Sequence, residues 1–186
     1  MGLDSGQVAK MRSRDPALDR RSIKRTLKPK ARSLEKALRL ERKDVAKMVF
    51  LRPHVFGMSI EGNVQPKACW LQERLGLRRK DVGKVLSICP GLLNYNMEDT
   101  LEPRIQWLEE RLGLGAKQAG KMICLSPHVL AMNREDTLEP KLQWLQERLG
   151  LEREEVAKMA YGYPQVLNLS IEGNLEPKVR WLEEWL

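Results

Sequence analysis

The sequence predicts an all-α fold, a helical-repeat solenoid (superhelix) of 37-residue units, each with two helices and a short connector. Three observations carry this expectation. Pro29, Pro66, Pro103, Pro140 and Pro177 stand 37 residues apart, Pro16, Pro53, Pro90, Pro127 and Pro164 keep the same step, and the two series use all ten prolines. The text itself recurs: VQPKACWLQERLG from Val64 returns as LEPRIQWLEERLG from Leu101, as LEPKLQWLQERLG from Leu138 and as LEPKVRWLEEWL from Leu175. Apolar residues within each copy follow the helical period, so each unit has one face to bury and only its neighbours to bury it against.

The first helix of a unit is predicted over Leu101 to Leu112, where Leu101, Ile105, Leu108 and Leu112 fall at i, i+4, i+7 and i+11 and share one face. Its start admits two readings. With Asn63, Thr100, Thr137 or Asn174 as N-cap, the proline lies in the first turn, where backbone N–H groups lack intrahelical partners and proline forfeits no bond. With Ser59, Asn96, Asn133 or Ser170 as N-cap, the helix starts earlier and the same proline is a kink. The helix stops at Gly76, Gly113 and Gly150, each followed by Leu, as a left-handed terminal residue and its hydrophobic contact require. The second helix is predicted from Arg79 to Ile88, with Val82, Val85, Leu86 and Cys89 spaced for burial and Pro90 closing it. Segments such as GLLNYN and HVLAMN form the apolar connector. In the first unit Ser33 replaces the tryptophan and Arg39 the glycine, so Ala31 to Leu40 is expected to deviate.

Leu3, Val8, Ala9, Lys10, Met11 and Pro16 fall 37 residues before Leu40, Val45, Ala46, Lys47, Met48 and Pro53. Residues 1–186 therefore read as one array that starts and ends mid-repeat, as expected of a piece of a longer protein. Val8 and Met11 at one end, and Val179, Leu182 and Leu186 at the other, are expected to lack a covering neighbour. No apolar run approaches the length of a membrane span. Cys69, Cys89 and Cys124 occupy three different repeat positions without a CxxC pair, which favours reduced structural thiols over disulfides or zinc. His54 and His128 share one slot in different units and have no metal-ligand spacing or nucleophile partner. With no Gly-rich phosphate loop either, neither an enzyme nor a cofactor is expected.

Formal net charge is +8, but residues 1–43 hold 14 Lys and Arg against 5 Asp and Glu, while residues 44–186 hold 19 against 20. Placement matters more than this bulk figure. Lys10, Lys47, Lys84, Lys121 and Lys158 hold one position of the second helix in all five copies, although neighbouring positions vary. Helices packed roughly 8–10 Å apart would space such a row to follow a phosphate backbone, whereas the alternative is a solvated face. A second stripe on the first helix combines Lys67, Trp70 and Arg74, then Arg104, Trp107 and Arg111, then Lys141, Trp144 and Arg148, each at i, i+3 and i+7. Base stacking is one use for it. Packing of the tryptophan between units, with arginine laid over it, is the favoured one.

The pattern LxPKxxWLxxxLGL, then VxKM, then a proline segment ending in S-x-E or N-x-E, resembles the repeat of the mitochondrial transcription termination factor (mTERF) family along essentially the whole chain. The resemblance implies a curved array with a groove for double-stranded nucleic acid, bound mainly through its backbone, in a mitochondrion or chloroplast. Transcription termination or regulation, or RNA metabolism, is the implied function; DNA is the favoured ligand, RNA the other, with no membrane or small-molecule substrate. The candidate contacts are the five-lysine row and the basic members of the tryptophan stripe. A solenoid that holds a protein or peptide partner is the competing expectation.

Overall fold

The computed structural model describes residues 4–185, and among these every regular element is helical. Leu3 and Leu186, given repeat positions above, lie outside the described residues. Ten α-helices follow one another: α1 (Ser5–Arg14), α2 (Lys28–Leu38), α3 (Arg42–Leu51), α4 (Gln65–Leu75), α5 (Arg79–Ile88), α6 (Glu102–Leu112), α7 (Ala116–Leu125), α8 (Glu139–Leu149), α9 (Arg153–Gly162) and α10 (Glu176–Trp185). Even-numbered helices are the first of each pair, odd-numbered ones the second. The chain divides into two compact units, Met1–Glu102 and Pro103–Leu186.

Each second helix ends before a proline that starts a five-residue 3-10 turn, as at Pro53–Gly57, Pro90–Asn94 and Pro127–Ala131. The residue ahead of it leaves the helical conformation, Cys89 at φ −123° and ψ 71°, because the proline ring crowds that conformation there. Val55, Leu92, Leu93, Val129 and Leu130 fill the connectors and are buried, so these short turns belong to the core.

The first helix starts earlier than the Thr100 group of caps would place it. Ser59, Asn96, Asn133 and Ser170 are the capping residues, and a wide π-turn such as Ile60–Val64 runs from the cap straight into the α-helix. The Asn96 carboxamide oxygen accepts from the N–H of Glu98 and Asp99 at 2.8 and 3.0 Å, and its carbonyl accepts from Leu101 five residues on at 3.0 Å. Asn63 and Thr100 lie inside this turn. Proline follows where five-residue spacing gives way to four-residue spacing, so its missing N–H falls in the first turn of the α-helix at the junction of the two spacings.

Leu101, Ile105, Leu108 and Leu112 are buried, as are Val82, Val85, Leu86 and Cys89. At the far end of the first helix Gly76, Gly113 and Gly150 sit at φ 61° to 62°, and Leu77 donates back to Gln72. Ala31 to Leu40 keeps this plan despite its substitutions: Arg39 takes the same left-handed turn at φ 52°. A Cβ in that region costs on the order of 1 kcal/mol, so Arg39→Gly is expected to raise unfolding stability by about that much in a urea titration. No gain, or a loss, would mean that the Arg39 side chain makes a compensating contact.

Of the end residues expected to lack cover, Val8 is 43% and Leu182 46% exposed, whereas Met11 is buried, a correction to the sequence expectation. Burial also pushes the Cys89 thiol up from its ordinary pKa. Among the described residues no helix is long and apolar enough to cross a membrane, and no cluster of three metal-ligating side chains occurs.

Candidate nucleic-acid interface

In the first unit α3 packs between α1 and α5, and in the second α7 packs on α9. The second helices thus lie side by side within each unit. Val45, Ala46, Met48 and Val49 turn one side of α3 into the core and Val82, Gly83, Val85 and Leu86 do so for α5. Lys47 and Lys84 are left outside, and Lys10, Lys121 and Lys158 are exposed in the same way. Among the described residues none of these five ammonium groups has an ion pair or side-chain hydrogen bond, unlike most other basic groups on the repeats. An exposed, unpaired lysine has its donors open to an incoming phosphate oxygen and loses little by engaging it.

One turn earlier on the same face stand Lys43, Lys80 and Lys117, also exposed, which the sequence reading did not single out. The repeat step was the signal for them, since they too are 37 residues apart, but Gly6 and Glu154 interrupt that column. Lys43 is paired with Glu41 at 2.8 Å.

The tryptophan stripe has a different setting. Lys67 and Lys141 are only 6% and 7% exposed, and their ammonium groups donate to the carbonyls of Leu93 at 2.6 Å and Leu167 at 2.7 Å. Burial holds both below the ordinary lysine range. Arg104 makes the equivalent bond to Leu130. Each thus ties a first helix to the connector 26 residues later in its own unit.

The arginines two turns further on tie one repeat to the next. Arg74 Nε meets both carboxylate oxygens of Glu102 at 2.9 Å, Arg111 meets those of Glu139 at 2.9 and 3.0 Å, and Arg148 meets Glu176 at 2.9 Å and Glu183 at 2.6 Å. Trp70, Trp107 and Trp144 are half-buried beside them, as expected of residues at the edge of the core. Trp181 is 56% exposed and stacks on Trp185 at 5.7 Å.

The Arg148 guanidinium holds Glu183 below the usual carboxylate range, while Arg180 and then Arg148 do so for Glu176. A depressed carboxylate contributes stability that is fully present above its ordinary value, about 4.3, and is lost as pH falls through the depressed one. These bridges therefore stand intact at neutral pH.

Six basic side chains proposed from sequence as phosphate contacts, Lys67, Arg74, Arg104, Arg111, Lys141 and Arg148, are thus committed to bonds within the fold. Arg111, 13% exposed and bonded also to Gln146 at 2.8 Å, shows what such a bond contributes. Arg111→Met keeps most of the stem and removes the charge, leaving the part-buried Glu139 unpaired, and should lower stability by about 2 kcal/mol after allowance for solvent screening. A double-mutant cycle with Glu139→Gln checks this. Coupling near zero would show that the contact in the structure contributes nothing.

The mTERF family model matches residues 65–185, from the start of α4 to the end of α10. No curated protein sequence matches the chain.

Proposed function

The chain belongs to the mTERF family, and from that premise we propose that it binds double-stranded nucleic acid, DNA in the first place, through the phosphate backbone and acts in organellar transcription termination or regulation. Nucleic-acid binding of a termination type is the role that family membership suggests. The observation that supports its assignment to particular residues is the recurrence of an exposed, unpaired lysine on every second helix, three in the first unit and two in the second. Contacts of this kind position a duplex without reading its bases.

Lys10, Lys47, Lys84, Lys121 and Lys158 carry the binding in this proposal, with Lys80 and Lys117 beside them. The arginines of the tryptophan stripe hold the repeats in register and do not touch the duplex. The location we propose is a mitochondrion or chloroplast.

Duplexes of unrelated sequence, titrated at several salt concentrations, test the proposal. They are expected to bind within a few-fold of one another, with log K falling against log salt at about −0.9 per phosphate contact. Absence of duplex binding at low salt would turn the reading toward a solenoid for a protein partner.

A further inference from the structure

One interval between first helices departs from the others at several positions together. Elsewhere a first-helix arginine reaches a glutamate at the start of the next first helix, as Arg74 reaches Glu102 and Arg111 reaches Glu139. Between α2 and α4 both partners are missing: Ala37 stands in the arginine column and Gln65 in the glutamate column. The tryptophan of that interval is Ser33. Ser33, Ala37 and Gln65, the three positions that lack the indole, guanidinium and carboxylate, line a cleft of about 860 Å³.

Its charges have changed too. Lys36 stands where Glu73, Glu110 and Glu147 stand in the other repeats, and Arg39 stands where they have glycine. Both side chains are exposed, and among the described residues neither has an ion pair or hydrogen bond. Arg79, at the same cleft, is held in place by donating to the Ala37 carbonyl at 3.0 Å and to the Cys69 sulfur at 3.0 Å. Arg78 lines it as well, bonded to Asp81. Against these four cations the cleft wall carries a single carboxylate, Glu61.

We propose that the cleft between α2 and α4 is a binding site for a phosphate-bearing ligand, either a free nucleotide or a stretch of nucleic-acid strand. The volume falls in the range of small-ligand sites, roughly 300–1,000 Å³. The Arg39 fork and the Lys36 ammonium suit phosphate oxygens, Arg78 and Arg79 add positive charge from the bonds that hold them, the Ser33 hydroxyl and the Gln65 and Gln72 amides can hydrogen-bond the rest of the ligand, and Glu61 can accept from an exocyclic amine. The site is independent of the lysine row, because it lies between first helices and uses none of the five lysines.

The probe is tripolyphosphate, titrated calorimetrically into the full chain. Ala37→Arg with Gln65→Glu restores the pair found in the other repeats without altering net charge, and should weaken tripolyphosphate binding about tenfold or more by filling the cleft. Lys36→Glu, an exposed change to the residue of the other repeats, should weaken it comparably and covers the case in which the double variant does not fold. The chain with Lys47, Lys84, Lys121 and Lys158 all changed to Gln should retain the tripolyphosphate binding that the cleft variants lose, and loss of that binding in the four-lysine chain would place the anion on the duplex-binding face and overturn the proposal.

ATP and oligothymidylate are then compared as competitors. Displacement by ATP alone assigns a nucleotide, and displacement by oligothymidylate assigns a strand. Displacement by neither, or wild-type tripolyphosphate affinity in folded cleft variants, overturns the proposal.

Discussion

Gly83→Val is expected to destabilise the first unit by about 3 kcal/mol or more, beyond the common range for a single substitution. A Cβ at Gly83 would stand 2.1 Å from the carbonyl oxygen of Leu38 and 3.2 Å from the Leu40 side chain. The near atom is backbone at the end of α2, so no rotamer change relieves the overlap and one helix must move away. That movement would also break the bond by which Arg79 caps the Ala37 carbonyl, which at present satisfies a carbonyl in the last turn of α2 and places a cation at the negative end of the helix. The repeat column shows that the requirement is not general, since Gly120 shares the position but Ala9, Ala46 and Ala157 occupy it in the other copies. Urea unfolding followed by circular dichroism gives the loss, and hydrogen exchange should localise it to α2 and α5. A variant within about 0.5 kcal/mol of the parent would show that the close approach of these helices is not required.

The second helix was legible to the residue, Arg79 to Ile88, because its valines and leucines keep strict spacing and a proline closes it. The start of the first helix was less so. Proline near a helix start resembles a first-turn residue, and nothing in composition distinguishes that from a π-turn that begins at Ser59 or Asn96 and ends just before the proline. Local spacing also placed Lys67 and Arg74 correctly on one face, yet it could not show that a carbonyl 26 residues on, or a carboxylate 28 residues on, meets them there.

One signal for the second of these was present. Arg74, Arg111 and Arg148 are each followed 28 residues later by Glu102, Glu139 and Glu176, and where the arginine becomes Ala37 the glutamate becomes Gln65. Two residues that vanish together are partners in a bond, and a residue with a partner inside the fold is a poor candidate for a ligand contact. The column of Lys10, Lys47, Lys84, Lys121 and Lys158 never varies, and among the described residues these five side chains have no ion pair or side-chain hydrogen bond. Ion pairs that serve the fold recur in pairs, whereas a side chain that meets a backbone carbonyl, as Lys67 does, or a ligand can recur alone.

That distinction sets the expected result for the chain in which Lys47, Lys84, Lys121 and Lys158 are all replaced by Gln. Each lysine that neutralises a phosphate releases counterions, so removing four contacts should flatten the slope of log K against log salt by roughly three to four units. Affinity at low salt should fall by orders of magnitude and sequence preference should change little, because these side chains would contact phosphates alone. Helicity and unfolding stability should hardly move, since all four positions are exposed and Gln is nearly as good a helix former as Lys. Arg111→Met should behave in the opposite way, losing stability while leaving the salt slope of the folded protein unchanged. A four-lysine variant with the parental slope would remove the second helices from the interface. A shallower slope in folded Arg111→Met would put the guanidinium on the duplex in addition to its bond with Glu139.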